Sequence, residues 1–196
     1  VLINFMTGHI RRFVDSPQQQ TQQSFVRLFG SSDFKTRLIG LTKRDREDAT
    51  VQEYSRNVKQ TGSFTHTSSA IVLHPEKDRT HFHLIYATRN AKGVEVFKEA
   101  EKKAMPVMQQ VRGEARKRKR EKTTGQIELS LGEATHDPTY YLSLRTRYID
   151  QARTSVSRLL QAKGTVPYDE MWSLGMVHDR SDHPMDLIFD RRIQTL

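Results

Sequence analysis

The chain is 196 residues long, 35% hydrophobic and 28% charged, which suits one domain with at most a small appendage and sits at the polar end of the globular range. No apolar run approaches the ~20 residues that span a bilayer, VLINF does not read as a signal peptide, and zero cysteines remove disulfide scaffolds, thiolate metal sites and cysteine nucleophiles. Thirty-two Lys and Arg against 23 Asp and Glu leave a formal charge of +9, which points to a polyanionic partner such as nucleic acid.

Val1–Phe5 is an almost continuous apolar, β-branched run, the pattern of a strand buried on both faces at the centre of a parallel α/β sheet. Such a strand is rarely the first of its sheet, so earlier strands are expected either upstream or on another chain. Ile10, Phe13 and Val14 then form one face of a short helix. Pro17 and QQQTQQ read as a polar connector, and residues 24–29 as a second short helix with Gly30 as its C-cap. Ser31, Ser32 and Asp33 offer cap oxygens for a turn carrying Phe34 and Leu38. Residues 46–59 predict an amphipathic helix with Val51, Tyr54 and Val58 on one side.

Two strands follow, residues 69–74 and 80–88, joined by the polar turn Pro75-Glu-Lys-Asp-Arg79, which favours an antiparallel hairpin. Alternation places His81, His83, Ile85 and Ala87 on one face and Phe82, Leu84 and Tyr86 on the other. Val1–Phe5 is expected to run parallel to one hairpin strand in the same sheet. A helix carrying Val94, Phe97, Ala100 and Ala104 comes next, with Pro106 predicted to end or kink it. Residues 111–125 hold a cationic block without large apolar residues from Arg112 to Lys122, which reads as a solvated linker. Residues 126–131 suggest a short strand. Tyr141, Leu144, Tyr148, Ala152, Val156 and Leu159 predict a long helix over 140–160 that stops at Gly164, and further short helices are expected around Trp172 and after Ser181.

Chemistry-bearing motifs are few. The ten glycines contain no Gly-x-Gly pair, and no phosphate-binding lysine loop, His-Glu-x-x-His helix or Gly-x-Ser-x-Gly elbow is present. His81 and His83 share a strand face, but no third ligand is fixed by spacing, and no metal site is read there. Arg112, Arg116, Lys117, Arg118, Lys119, Arg120 and Lys122 are the candidate nucleic-acid-binding residues, since each phosphate contact adds salt-dependent affinity; the plain alternative is a solvating loop. Thr88, Asn90, Lys92 and Gly93 form a candidate anion-binding turn where a strand meets a helix N-terminus. Its plain alternative is an ordinary turn capped by Asn90.

This turn also carries a resemblance. FHLIYATRNAKGVEVFKEA (residues 82–100) resembles the Y-L-I-F-A-T-N-H-P-x-G-L-x-x-M-K segment of the three-Cys-motif partner (TcmP) family, Val1–Met6 resembles its L-L-I-N-F strand, and Leu28-Phe-Gly matches a short later element. The asparagine is displaced by one position, to Asn90 after Arg89, and the basic block is not a family feature. The resemblance implies residues 1–110 as the C-terminal half of a Rossmann-like methyltransferase domain, 111–125 as a basic insertion, and 126–196 as a helical or winged-helix module. It implies S-adenosylmethionine as cofactor, with the glycine-rich loop and acidic-proline motif falling before Val1. The order strand, helical crossover, hairpin fits the end of such a sheet. The function expected is therefore a TcmP-like, S-adenosylmethionine-dependent methyltransferase-like protein of the cytoplasm, acting on or with nucleic acid. The alternative is a non-catalytic nucleic-acid-binding or protein-interaction module of a defence or mobile-element system that works with a partner chain.

Overall fold

A computed structural model describes residues 1–127 and 139–167. The chain forms two units, residues 1–72 with 80–95, and residues 73–79 with 96 onward. The fold is mixed α/β with a small three-stranded antiparallel sheet.

In the first unit, β1 (Leu2–Phe5) leads into α1 (Thr7–Phe13), which has no side-chain cap, and then into α2 (Gln19–Phe29). The glutamine tract is thus not a connector. Glutamine is a good helix former, and Gln22 Nε2 ties the new helix to the carbonyls of Val14 (3.3 Å) and Ser16. Gly30 ends α2 at φ 70°, and a Cβ there would meet Asn57 Oδ1 at 2.5 Å. That close approach lets Asn57 Nδ2 donate to the carbonyls of Leu28 (2.9 Å) and Arg27 (3.2 Å), satisfying the end of α2. Ser31 Oγ accepts from Asp33 N (3.0 Å) and caps a 3-10 helix, Ser32–Leu38, as predicted. Thr42 caps α3 (Lys43–Thr61).

Apolar spacing on these helices builds one core from Phe5, Ile10, Val14, Phe25, Phe29, Phe34, Leu38, Val51 and Ile85. Phe29 and Phe34 stack at 4.4 Å, and Tyr54 stacks on Phe5 at 4.3 Å. Burial pushes the Tyr54 hydroxyl up from its ordinary pKa. Phe13, expected on the buried face of α1, is exposed: Ile10 and Val14 alone fill that side.

β2 (His66–Leu73) and β3 (Thr80–Thr88) form the expected hairpin, and the strand order is β1-β3-β2. β1 joins the sheet, but its hydrogen-bonded neighbour is β3, antiparallel, with Leu2 opposite Tyr86 and Phe5 opposite His83. The expected parallel relation holds to β2, with β3 lying between, because the short turn folds β3 back along β2 and presents the other edge of β3 to β1; a Rossmann-like parallel sheet is not formed among the described residues. β1 therefore shares its direction with β2 without touching it. Nor are both of its faces buried among the described residues: Phe5 is 5% exposed and Leu2 58%. Alternation along β3 follows the prediction, with His83, Ile85 and Ala87 fully buried and Phe82, Leu84 and Tyr86 half-buried on the other face.

The turn residues 88–93 open α4 (Ala91–Thr124), whose first residues belong to the first unit and whose remainder belongs to the second. Pro106 neither ends nor breaks it. Its position is on the exposed side of α4. The block read as a linker is likewise the last third of α4, since Arg and Lys are good helix formers and the cations find acidic partners described below. α5 (Thr139–Lys163) matches its predicted period, with Leu144, Tyr148, Ala152 and Val156 buried, and Gly164 follows at φ 72°. The suggested strand at 126–131 lies mostly, and the later helices and most of the winged-helix module wholly, outside the described residues. No described helix is long and apolar enough to cross a membrane.

Candidate nucleic-acid interface

Arg112 shows why the basic block is ordered. Its position on α4 is buried, and its guanidinium reaches into the β2–β3 turn. Nη1 donates to the carbonyls of His74 and Lys77 (3.3 Å), and Nη2 donates to Asp78 Oδ1 at 2.9 Å. One helical turn later Arg116 pairs with the same carboxylate, and after another turn Lys119 Nζ lies 3.3 Å from Glu76 Oε2. The i, i+4, i+7 spacing of these three cations places them on one face of α4. On its other side the Arg112 guanidinium sits 5.9 Å from the Tyr140 ring centroid. Burial lowers the Arg112 pKa, as does the Arg116 charge, while Asp78 opposes both.

The turn itself is tightly bonded. His74 Nδ1 accepts from the backbone N–H of Glu76 (3.1 Å) and Lys77 (3.2 Å), and His74 N donates to the Arg79 carbonyl at 2.9 Å. Along the edge of β2, Leu73 N points at Met108 Sδ of α4, 3.4 Å away.

The seven predicted cations therefore divide. Arg112 and Arg116 are committed to Asp78, and Lys117 reaches Glu121 at 3.9 Å. Arg118 and Lys122 are exposed, as are Arg120 and Lys119, the last of which holds Glu76. The sequence reading missed the acidic partners Glu76 and Asp78 and the hairpin cations Lys77 and Arg79. The signal was present, because the turn alternates acid and base within an otherwise cationic part of the chain.

The candidate anion turn belongs to the first unit and satisfies its own donors. Asn90 Oδ1 accepts from Lys92 N (2.9 Å), the Asn90 carbonyl accepts from Gly93 N (3.0 Å), and Thr88 Oγ1 accepts from Asn90 N (3.1 Å). The Lys92 ammonium is paired with Glu95. A Cβ on Gly93 would stand 2.8 Å from the Tyr86 hydroxyl, so the glycine serves close packing of the helix start. Arg89 bonds the carbonyls of Ser63 (3.2 Å) and Gly62 (3.1 Å) and lies over Phe64. What the arrangement does is cap the start of α4 and fasten the end of β3 to the end of α3.

His81 and His83 part ways although they share a strand face. His83 is fully buried with Nε2 2.9 Å from Glu47 Oε1, whereas His81 is exposed at the end of the strand. Among the described residues no cluster of three His, Asp or Glu is arranged to hold a metal ion. In comparisons with known proteins, no family model, no curated protein and no solved structure matches the chain.

Proposed function

We propose that this chain is the C-terminal part of a TcmP-like, S-adenosylmethionine-dependent methyltransferase-like protein that acts on or with nucleic acid in the cytoplasm. The observation that carries the reading is the sheet order. A strand, a helical crossover and a hairpin whose last strand returns antiparallel is how a methyltransferase-like sheet closes, and β3 returns antiparallel beside β1 in that order. The motif similarity of residues 1–6 and 82–100 falls on β1, β3 and the start of α4. Support for a nucleic-acid partner comes from the charge of +9 and the exposed cations Arg118, Lys119, Arg120 and Lys122.

The residues present do not fit an adenosyl cofactor. There is no Gly-x-Gly pair, and β1 runs through Met6 into α1 with no glycine-rich turn between them. No step of methyl transfer is derived from these side chains, and on this reading S-adenosylmethionine is held by residues outside this chain. Titration calorimetry of the full-length protein with S-adenosylmethionine and with S-adenosylhomocysteine tests the reading. Saturable binding of both is expected, and no binding of either overturns it.

The second reading, a non-catalytic nucleic-acid-binding or interaction module of a defence or mobile-element system, is favoured by the exposed cations Arg118 and Lys122, whose phosphate contacts need no cofactor. Under that reading the calorimetric signal is absent while binding of duplex nucleic acid persists.

A further inference from the structure

Charge in the β2–β3 turn is sorted by side. Glu76 and Asp78 are taken up by Lys119, Arg112 and Arg116 of α4, whereas Lys77 and Arg79, which alternate with them, are exposed and carry no side-chain partner among the described residues. The turn is held in place by the buried Arg112 guanidinium, its two carbonyl acceptors and the His74 ring. Lys77 and Arg79 thus stand on a fixed support, next to acids already neutralised, in the same unit as the exposed Arg118, Lys119, Arg120 and Lys122. Crowding cations together costs self-repulsion in the free protein, which a polyanion relieves.

We propose that the β2–β3 turn and the last third of α4 form one composite surface for the phosphate backbone of double-stranded nucleic acid, with Lys77 and Arg79 as contacts additional to the helix cations. This rests on the nucleic-acid reading above and adds the hairpin to it. The duplex is favoured over a single strand by the absence of a stacking platform. No aromatic residue occurs in 75–79 or 112–124, and Tyr140 lies against Arg112. Phosphate contacts of this kind position a protein without reading sequence.

The test is fluorescence anisotropy with the full chain, a labelled 20-bp duplex of arbitrary sequence and one of its strands alone, across a series of salt concentrations. Replacing Lys77 and Arg79 together by Ala leaves the melting temperature unchanged, because neither side chain has a partner to lose. It weakens duplex binding and makes the slope of log affinity against log salt shallower by about 1.8, at about 0.9 per phosphate contact. An unchanged slope for this variant, while R118A/K122A does flatten it, overturns the hairpin contribution and leaves the helix reading standing. Unchanged slopes for both variants, or no duplex binding by the parent protein, overturn both. Tighter binding of the single strand than of the duplex, or a slope shift reproduced only with an acidic protein, overturns the assignment to a duplex backbone.

Discussion

Arg112 is the residue on which the second unit turns. Its planar fork meets one carboxylate and two carbonyls at once, a geometry that an ammonium cannot copy. Asp78 remains half exposed, so water screens part of that attraction; the two carbonyls are the partners that need Arg112 most. Arg112→Ala is expected to cost about 1.5–3 kcal/mol, the range for hydrogen bonds to charged groups. Arg112→Lys should recover part of this by keeping the charge. Urea denaturation of both variants checks the order, and an alanine variant as stable as the parent would show that the fork contributes nothing. Alone, the position looked like one more cation in a run of them, and nothing in its immediate neighbours marked it as buried. The distinction lies with Asp78, 34 positions away in sequence.

At the scale of the element, α4 changes what the basic block does. In a solvated linker, replacing Arg116, Lys117, Arg118, Lys119 and Arg120 with Ala would leave folding untouched. For a helix, alanine preserves the helical conformation, but Asp78 loses Arg116 and Glu76 loses Lys119. Far-UV circular dichroism should therefore hold while amide exchange at Glu76 and Lys77 accelerates; exchange that stays slow there would show the turn to be independent of α4. Periodicity was enough to find α3, α5, both hairpin strands and the Ser31 cap, because each carries its own apolar spacing or capping oxygen. It failed for α2 and the end of α4. There the helix formers are polar and carry no apolar spacing, and what holds them is a partner outside the helix, Val14 and Ser16 for Gln22, and the β2–β3 turn for Arg112 and Arg116. Motif reading likewise isolated Thr88–Gly93 correctly as a strand-to-helix turn, but only geometry reveals that Asn90 already occupies its donors.

For the molecule as a whole, strand composition announced a sheet but not its order, since apolar β-branched runs are alike whichever neighbour they meet. The order β1-β3-β2 decides how the chain must assemble. The hairpin closes over a six-residue turn, whereas β1 meets its partner across a far longer stretch, with Val1 bonded to Ala87, 86 positions on. Local pairing is the faster event, and distant pairing bears the larger loop-closure entropy. Ile85→Val, in the hairpin, is expected to slow refolding, and Phe5→Leu, in β1, mainly to speed unfolding. Stopped-flow chevrons for the two variants check this, and the reverse assignment would place β1 in the folding nucleus. During synthesis the consequence is one of timing. At ribosomal speed β1 waits on the order of ten seconds before Ala87 is even polymerised, and through that interval Val1, Leu2, Ile3 and Phe5 form an apolar edge with no strand of β3 to pair with. A chaperone, or a neighbouring strand of the same sheet, has that window in which to occupy it.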